Sequence, residues 1–258
     1  MARIYPLFSS SKGNATYVGT SSAGILIDAG ITYSRLLEGL RRSELDISAI
    51  QAIFITHIHS DHIKGLSVLT KKTGIPVFAQ EITINHLIAS ECLHSRGEVL
   101  RRPVEAAGME IKAFCTPHDT VQSCGFRITT SDGKQCAVCT DLGHITLEVE
   151  ENLSGCDLVL LESNYDEKML KFGGYPEYLK ARIRSKRGHL SNRDCAAQVE
   201  KLISDGTTRV ILGHLSQENN TPQTADSTIE AALSGFVRNK DYILDVAPVE
   251  TTGKCMIF

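Results

Sequence analysis

The chain has 258 residues, 42% of them apolar and 22% charged, with a net charge of −3. This is ordinary for a soluble globular protein, and long enough for one large or two small domains around a sizeable core. No global basic field advertises nucleic acid, so any polyanion site must be a local patch.

The opening, MARIYPLFSSSKGN, has no apolar run of signal-peptide length, and no stretch approaches the ~20 apolar residues that span a bilayer. A cytoplasmic protein without a membrane anchor is the expectation. Strands are expected at 2–7, 14–19 and 24–28, then an amphipathic helix at 33–43. QAIFI (51–55) reads as a buried strand. Residues 63–73 look helical and stop at Gly74, a C-cap. Strand 76–79 and helix 81–91 follow. Residues 109–140 read as strands, with Asp132-Gly133 as a hairpin turn. Helix 145–152, strand 157–161 and helix 176–184 come next. Ser191 with Asp194 gives a capping-box-like start to a helix at 192–204, whose Cys195, Val199, Leu202 and Ile203 share one face. Strand 209–213, helix 225–237 and two short strands complete the chain. The pattern is mixed α/β, and one domain over 1–258 is the simplest reading.

The eight cysteines lie scattered through apolar segments and read as small core residues. Only Cys136 and Cys139 have metal-like spacing. On a strand, positions i and i+3 face opposite ways, so these two thiols cannot share an ion.

THIHSDH (56–62) is the informative stretch. It sets three histidines and an aspartate just past the buried strand at 51–55. Imidazole nitrogen and carboxylate oxygen suit zinc, manganese and iron alike. His57 and His59, at i and i+2, would aim to one side of an extended stretch. Asp61 and His62 could turn toward a second centre. Two ions about 3.5–4 Å apart can act together on one hydroxide. Such a pair needs further ligands, and His118, Asp141 and His214 each follow an expected strand. Of the other histidines, His86 and His94 read as solvated or packed. His144, close after Asp141, could support the site indirectly.

THIHSDH resembles the HxHxDH signature of the metallo-β-lactamase fold hydrolases, and His118, Asp141 and His214 match its later motifs in order. The resemblance runs from about residue 3 to the C-terminus. It implies an αββα sandwich, two mixed sheets between outer helices, with the site at one edge. It implies two divalent ions (zinc, manganese or iron). His57, His59 and His118 would hold one, and Asp61, His62 and His214 the other, with Asp141 bridging. Asp28, in ILIDAG, would support the metal loop rather than bind metal; Glu162, in LLESNYD, is also expected to support the site without binding metal.

The segment LKARIRSKRGHLSN (179–192) carries Lys180, Arg182, Arg184, Lys186 and Arg187 with no acid among them. It leads into the helix start at 192, where free N–H groups favour anions. His189, Ser191 and Asn192, with Lys186 and Arg187, are therefore expected to hold a substrate phosphate. GHLSN and LLESNYD are similar to the small YycJ/WalJ-type members of the superfamily, regarded as 5′-to-3′ DNA exonucleases. SSSKGN (9–14) fits a loop usual there, with Lys12 as a departure. Residues 164–188 are too few for a large inserted domain and can form only a helical cap.

The expected chemistry is phosphodiester hydrolysis by a metal-bridged hydroxide. Asp61 would orient the hydroxide, and His189 would stabilise the phosphoryl oxygens or protonate the leaving group. DNA is favoured over RNA as the substrate, although no aromatic stands out for base stacking and there is no tryptophan. The rival readings are a small-molecule (cyclic) phosphodiesterase, an RNA- or tRNA-processing nuclease, a thioesterase and a non-enzymatic metal-binding regulator.

Overall fold

The computed structural model describes residues 1–258. Two seven-stranded sheets face each other. The first contains β1 (Arg3–Phe8), β2 (Ala15–Gly19), β3 (Gly24–Ile27), β4 (Ile50–Phe54), β5 (Val77–Ala79) and β6 (Gly97–Val99) in sequential order. The second contains β7 (Val104–Ala106), β8 (Met109–Cys115), β9 (Cys124–Thr130), β10 (Gln135–Cys139), β11 (Leu158–Glu162), β12 (Arg209–Gly213) and β13 (Ile243–Val246), and β14 (Met256–Ile257) returns to the edge of the first beside β1. Each sheet is antiparallel on one side and parallel on the other, with β3 to β6 and β10 to β13 as the parallel runs.

Period-two alternation builds the layers. Leu158 and Leu160 of β11 enter the core between the sheets, while Val159 and Leu161 face the outer helices. Cys136 and Cys139 divide in the same way, one to each core, as their spacing requires. The helices α1 (Tyr33–Arg42), α3 (Leu66–Thr73) and α4 (Glu81–Ala89) cover the first sheet, with α2 (Ser60–Ile63) between the first two. The second is covered by α5 (Leu147–Leu153), α8 (Asn192–Ser204) and α9 (Pro222–Ala232). The short α6 (Glu167–Phe172) and α7 (Glu177–Ile183) lie between β11 and α8 and pack on a small cluster of their own. No helix is long and apolar enough to cross a membrane.

Two expected helices differ from those found. The helix at 63–73 is broken at Gly65, where a Cβ would lie 1.8 Å from the Ile31 carbonyl oxygen. The chain turns there to bring the 57–62 loop against the loop after β3. The helix expected at 225–237 starts earlier, at Pro222, because Thr221 caps it by accepting from the Thr224 amide.

Candidate metal centre

The parallel strands all end at one rim of the sandwich, and the functional side chains follow their carboxyl ends. Asp28 follows β3, the 57–62 loop follows β4, Asp141 follows β10, Glu162 ends β11 and His214 follows β12. His118 follows β8, which runs parallel to β10 because both are antiparallel to β9. This is where open α/β sheets place their ligands. Asp28, Asp141 and His214 have left-handed backbones, with φ of 61°, 59° and 54°. L-residues are uncommon there and cluster at functional sites.

His57, His59 and His118 form one donor group. His57 Nε2 lies 3.0 Å from His59 Nδ1, which lies 3.2 Å from His118 Nε2. The outward nitrogens are anchored. His118 Nδ1 donates to the Gly188 carbonyl at 3.0 Å, and His57 Nδ1 lies 2.9 Å from the Thr56 hydroxyl. A carbonyl can only accept, so the proton of a neutral His118 sits on Nδ1 and Nε2 keeps its lone pair for the centre. Burial, then the neighbouring His62, pushes the pKa of His57 well below the usual histidine range. Burial and His118 lower that of His59.

Asp61, His62 and His214 form a second group, and His57, His62 and Asp141 a third that joins the two. Asp28 accepts from His62 Nδ1 at 2.7 Å and from the Thr56 amide at 2.9 Å, so His62 Nε2 faces inward. Asp61 Oδ2 lies 3.5 Å from His62 Nε2 and 3.6 Å from His214 Nε2. Asp141 reaches both sides, with Oδ2 3.2 Å from His62 Nε2 and Oδ1 3.6 Å from His118 Nε2. Burial disfavours the ionised Asp141, but His214 and His62 outweigh it and hold its pKa well below the carboxylate range. Burial likewise lowers the pKa of His62 and His214, yet carboxylates win at both. Asp28 and Asp141 raise His62, and Asp141, Asp61 and Glu162 lift His214 to about 10.

The donor set fits divalent ions. His214 Nε2 and Asp141 Oδ2 are buried and have no hydrogen-bond partner. Such orphaned polar atoms are costly unless something binds them. Nitrogen and oxygen donors without thiolate suit zinc, manganese or iron(II).

Glu162 ties this centre to His189. Its Oε1 accepts from His214 Nδ1 at 2.7 Å and from His189 Nδ1 at 2.9 Å. Its Oε2 accepts from the amides of Leu142 and Leu190. Burial raises its pKa, but His189 and His214 overcome this and bring it down to about 2. Burial lowers the pKa of His189, and Glu162 reverses the shift and raises it.

The other expected phosphate contacts are placed differently. Ser191 caps α8, accepting from the Asp194 amide at 3.0 Å and donating to the Asp194 carboxylate at 2.8 Å. Asn192 is buried, with its amide bonded to Ser163 and Asn220. Its backbone N–H donates to the Tyr165 carbonyl. The start of α8 is thus filled by its own cap and an acidic side chain, and it offers no anion cradle. Arg187 donates to the carbonyls of His118 and Thr120, which fixes the His118 loop. Lys186 is exposed, and its carbonyl meets His144 Nδ1 at 3.0 Å. His144 therefore braces the 186–188 turn and lies outside the donor groups. His94 bonds to Ser67 on the surface, and His86 stays on α4.

Three contributors were not singled out in the sequence. Asp119 Oδ1 is buried without a partner, 3.4 Å from His118 Nε2, while its other oxygen pairs with Arg182. Asn14 Nδ2 donates to the Asp61 carbonyl and lies 3.1 Å from His62 Nε2. Asn164 Nδ2 donates to the His214 carbonyl at 2.8 Å, holding that left-handed residue in place. Asp119 directly follows His118, and the two asparagines sit inside SSSKGN and LLESNYD, so their positions were the available signal. Gly30 lets the 57–62 loop come this close, since a Cβ there would lie 1.6 Å from the Asp61 carbonyl oxygen.

A sequence profile described as a β-lactamase superfamily domain matches residues 24–215. The chain is 35% identical over 231 residues to the exodeoxyribonuclease YycJ of Bacillus anthracis, covering 88% of this chain and 87% of that protein. The chain belongs to the metallo-β-lactamase superfamily. This superfamily member is also 33% identical over 234 residues to the exodeoxyribonuclease WalJ of Streptococcus pneumoniae serotype 2, with the same 88% and 87% coverage. In fold it matches the metallo-β-lactamase fold protein YhfI of Bacillus subtilis, with a TM-score of 0.73 over 97% of this chain and 98% of that one at 16% identity. The short form of human tRNase Z matches with a TM-score of 0.61 over 84% and 93%, at 19% identity. The αββα sandwich is therefore established, and this metallo-β-lactamase superfamily chain is a metal-dependent hydrolase.

Proposed function

We propose that this protein is a DNA exonuclease that hydrolyses phosphodiesters from a strand end, in the 5′-to-3′ direction implied by its resemblance to the YycJ/WalJ group. The observation that carries the reading is His189, held by Glu162 in a donor group with Asp141 and His214 and lining a surface pocket. The 88% alignment with a protein named exodeoxyribonuclease supports it.

In this reading His57, His59 and His118 would hold one divalent ion, Asp61, His62 and His214 would hold the other, and Asp141 would serve both groups. When bound, the ions act as Lewis acids that lower the pKa of water and neutralise phosphoryl charge. The chain's own groups do the remaining work. Asp61 orients the attacking water. Glu162 fixes His189 Nδ1 and shifts the ring toward its charged form, the form that can donate from Nε2 to a phosphoryl or leaving oxygen. Thr56, Asp28 and Gly188 hold the histidine rings in their inward-facing orientations.

The deciding experiment uses 5′- and 3′-labelled duplex DNA, single-stranded DNA and RNA, with manganese or zinc, beside Asp61→Ala as the contamination control. Stepwise loss from DNA 5′ ends, absent in the variant, is expected. Turnover of bis-p-nitrophenyl phosphate alone would replace the reading with a small-phosphodiester hydrolase, and preference for RNA would replace it with a ribonuclease. His189→Ala should keep its metal content and cut DNA cleavage by ~10²–10⁴-fold. A smaller loss on bis-p-nitrophenyl phosphate, whose leaving group needs little protonation, would assign His189 as the acid. Equal losses would assign it to the phosphoryl oxygens.

A further inference from the structure

On the α7 side of His189 lies a pocket of about 160 Å³. Its apolar wall is Tyr175, Leu179 and Ile183, and the ion-paired Asp119 and Arg182 stand at its rim. His189 and Gly188 complete the side facing the metal centre, and Asn164 and Ser216 add polar atoms. The volume lies well below the ~300–1,000 Å³ of sites that enclose a drug-sized ligand. It is of a size for one ring system rather than for a length of strand. An aromatic ring with aliphatic neighbours can stack any base, because every base has a π-face.

Charge agrees with this. Residues 164–188 carry seven basic and three acidic side chains, within a chain whose net charge is −3. The cap is thus a local cationic region on an acidic protein, and it lies beside the group that would meet the phosphate. Tyr175 did not stand out in the sequence. The turn between α6 and α7 places it here.

We propose that this pocket holds the terminal nucleobase of a DNA strand, stacked on Tyr175, and so positions the adjoining phosphodiester at His189. The proposal rests on the exonuclease reading and gives it a physical basis. A base seated there leaves no room for a neighbour, so the scissile bond is the one next to a strand end. Tyr175 is a specificity-determining residue, and its contribution is separable from the chemistry.

The test uses full-length protein and oligonucleotides carrying 2-aminopurine at the 5′ or 3′ terminus, since stacking quenches its fluorescence. In an Asp61→Ala background, with complex formation followed by anisotropy, the terminal 2-aminopurine should be quenched. Adding Tyr175→Ala should restore the signal, and adding Tyr175→Phe should not. In active protein Tyr175→Ala should raise KM for normal ends about 10- to 100-fold. It should leave kcat little changed and leave an abasic-ended substrate unaffected. Leu179→Ala serves for the same comparison if Tyr175→Ala does not fold. An unquenched terminal base in a formed complex, or an equal KM rise on the abasic end, overturns the proposal. Absence of any complex with DNA ends overturns it together with the exonuclease reading. Quenching without cleavage of any DNA would overturn only the latter.

Discussion

The two donor groups at this rim are held in different ways. His57, His59 and His118 are braced by a hydroxyl and a carbonyl, and the side chain of His59 is 32% exposed. In the second group, His62 and His214 are braced by carboxylates, with Asp28 behind His62 and Glu162 behind His214. Burial and neighbouring histidines lower the pKa of His57 and His59, whereas nearby carboxylates raise those of His62 and His214. A carboxylate behind an imidazole makes it a stronger donor. The second group should therefore hold its ion more tightly, and the first should give up its ion first.

The largest effect should come where the groups meet. Asp141→Ala removes the carboxylate that reaches both, so hydrolysis should fall by ~10³-fold or more, and elemental analysis should find both ions depleted. Loss of one ion only would show that Asp141 serves a single group. Glu162→Gln comes next. Its one remaining oxygen cannot serve both sides, so an amide NH2 must face either the two histidines or the Leu142 and Leu190 N–H groups. Turnover should drop by ~100-fold, and metal should be depleted from the second group alone. Asp28→Asn should weaken metal affinity by ~10–100-fold in a chelator titration, again in the second group. Thr56→Val should have a smaller effect, of about a few-fold, mainly on the first group, since only a neutral hydroxyl is lost. A larger loss from Thr56→Val than from Asp28→Asn would reverse the comparison.

The smallest effect is on the stability of metal-free protein. His57 has a depressed pKa, so its contribution grows as pH rises to its unfolded value of ~6.5. His214 has a raised pKa, so its contribution is complete below ~6.5 and is lost as pH climbs toward about 10. Chelated protein should show a melting temperature that rises to near pH ~6.5 and then falls. In loaded protein the ring nitrogens are committed, and the alkaline fall should be absent.

Much of this was legible in sequence, for reasons that differ by residue. The strands and their order of facing follow from period-two alternation, and Cys136 and Cys139 divide as that rule requires. His57 to His62 announce themselves because they are contiguous. His118, Asp141 and His214 are isolated, and only their shared place after strand ends links them. Ser191 and Asn192 were misread for a physical reason. A helix cap and a phosphate cradle favour the same small polar residues at a helix start, and sequence alone does not tell which N–H groups are already satisfied. Asp119 and Tyr175 were missed because their surroundings are made by turns joining distant elements, which leave no periodic trace.

The contact between His118 and Gly188 has a thermodynamic consequence. Gly188 accepts from His118 Nδ1 at 3.0 Å and lines the pocket beside His189, and Arg187 returns a bond to the His118 carbonyl at 2.9 Å. In the proposed reading, an ion held by the first group would steady one wall of the pocket. Coupling between two binding events is reciprocal, so whatever factor metal loading adds to the affinity for a strand end, the strand end must add to the affinity for metal. Bound DNA should then shield the more exposed ion from chelators, and the enzyme would keep its weaker cofactor best when it has substrate to use it on.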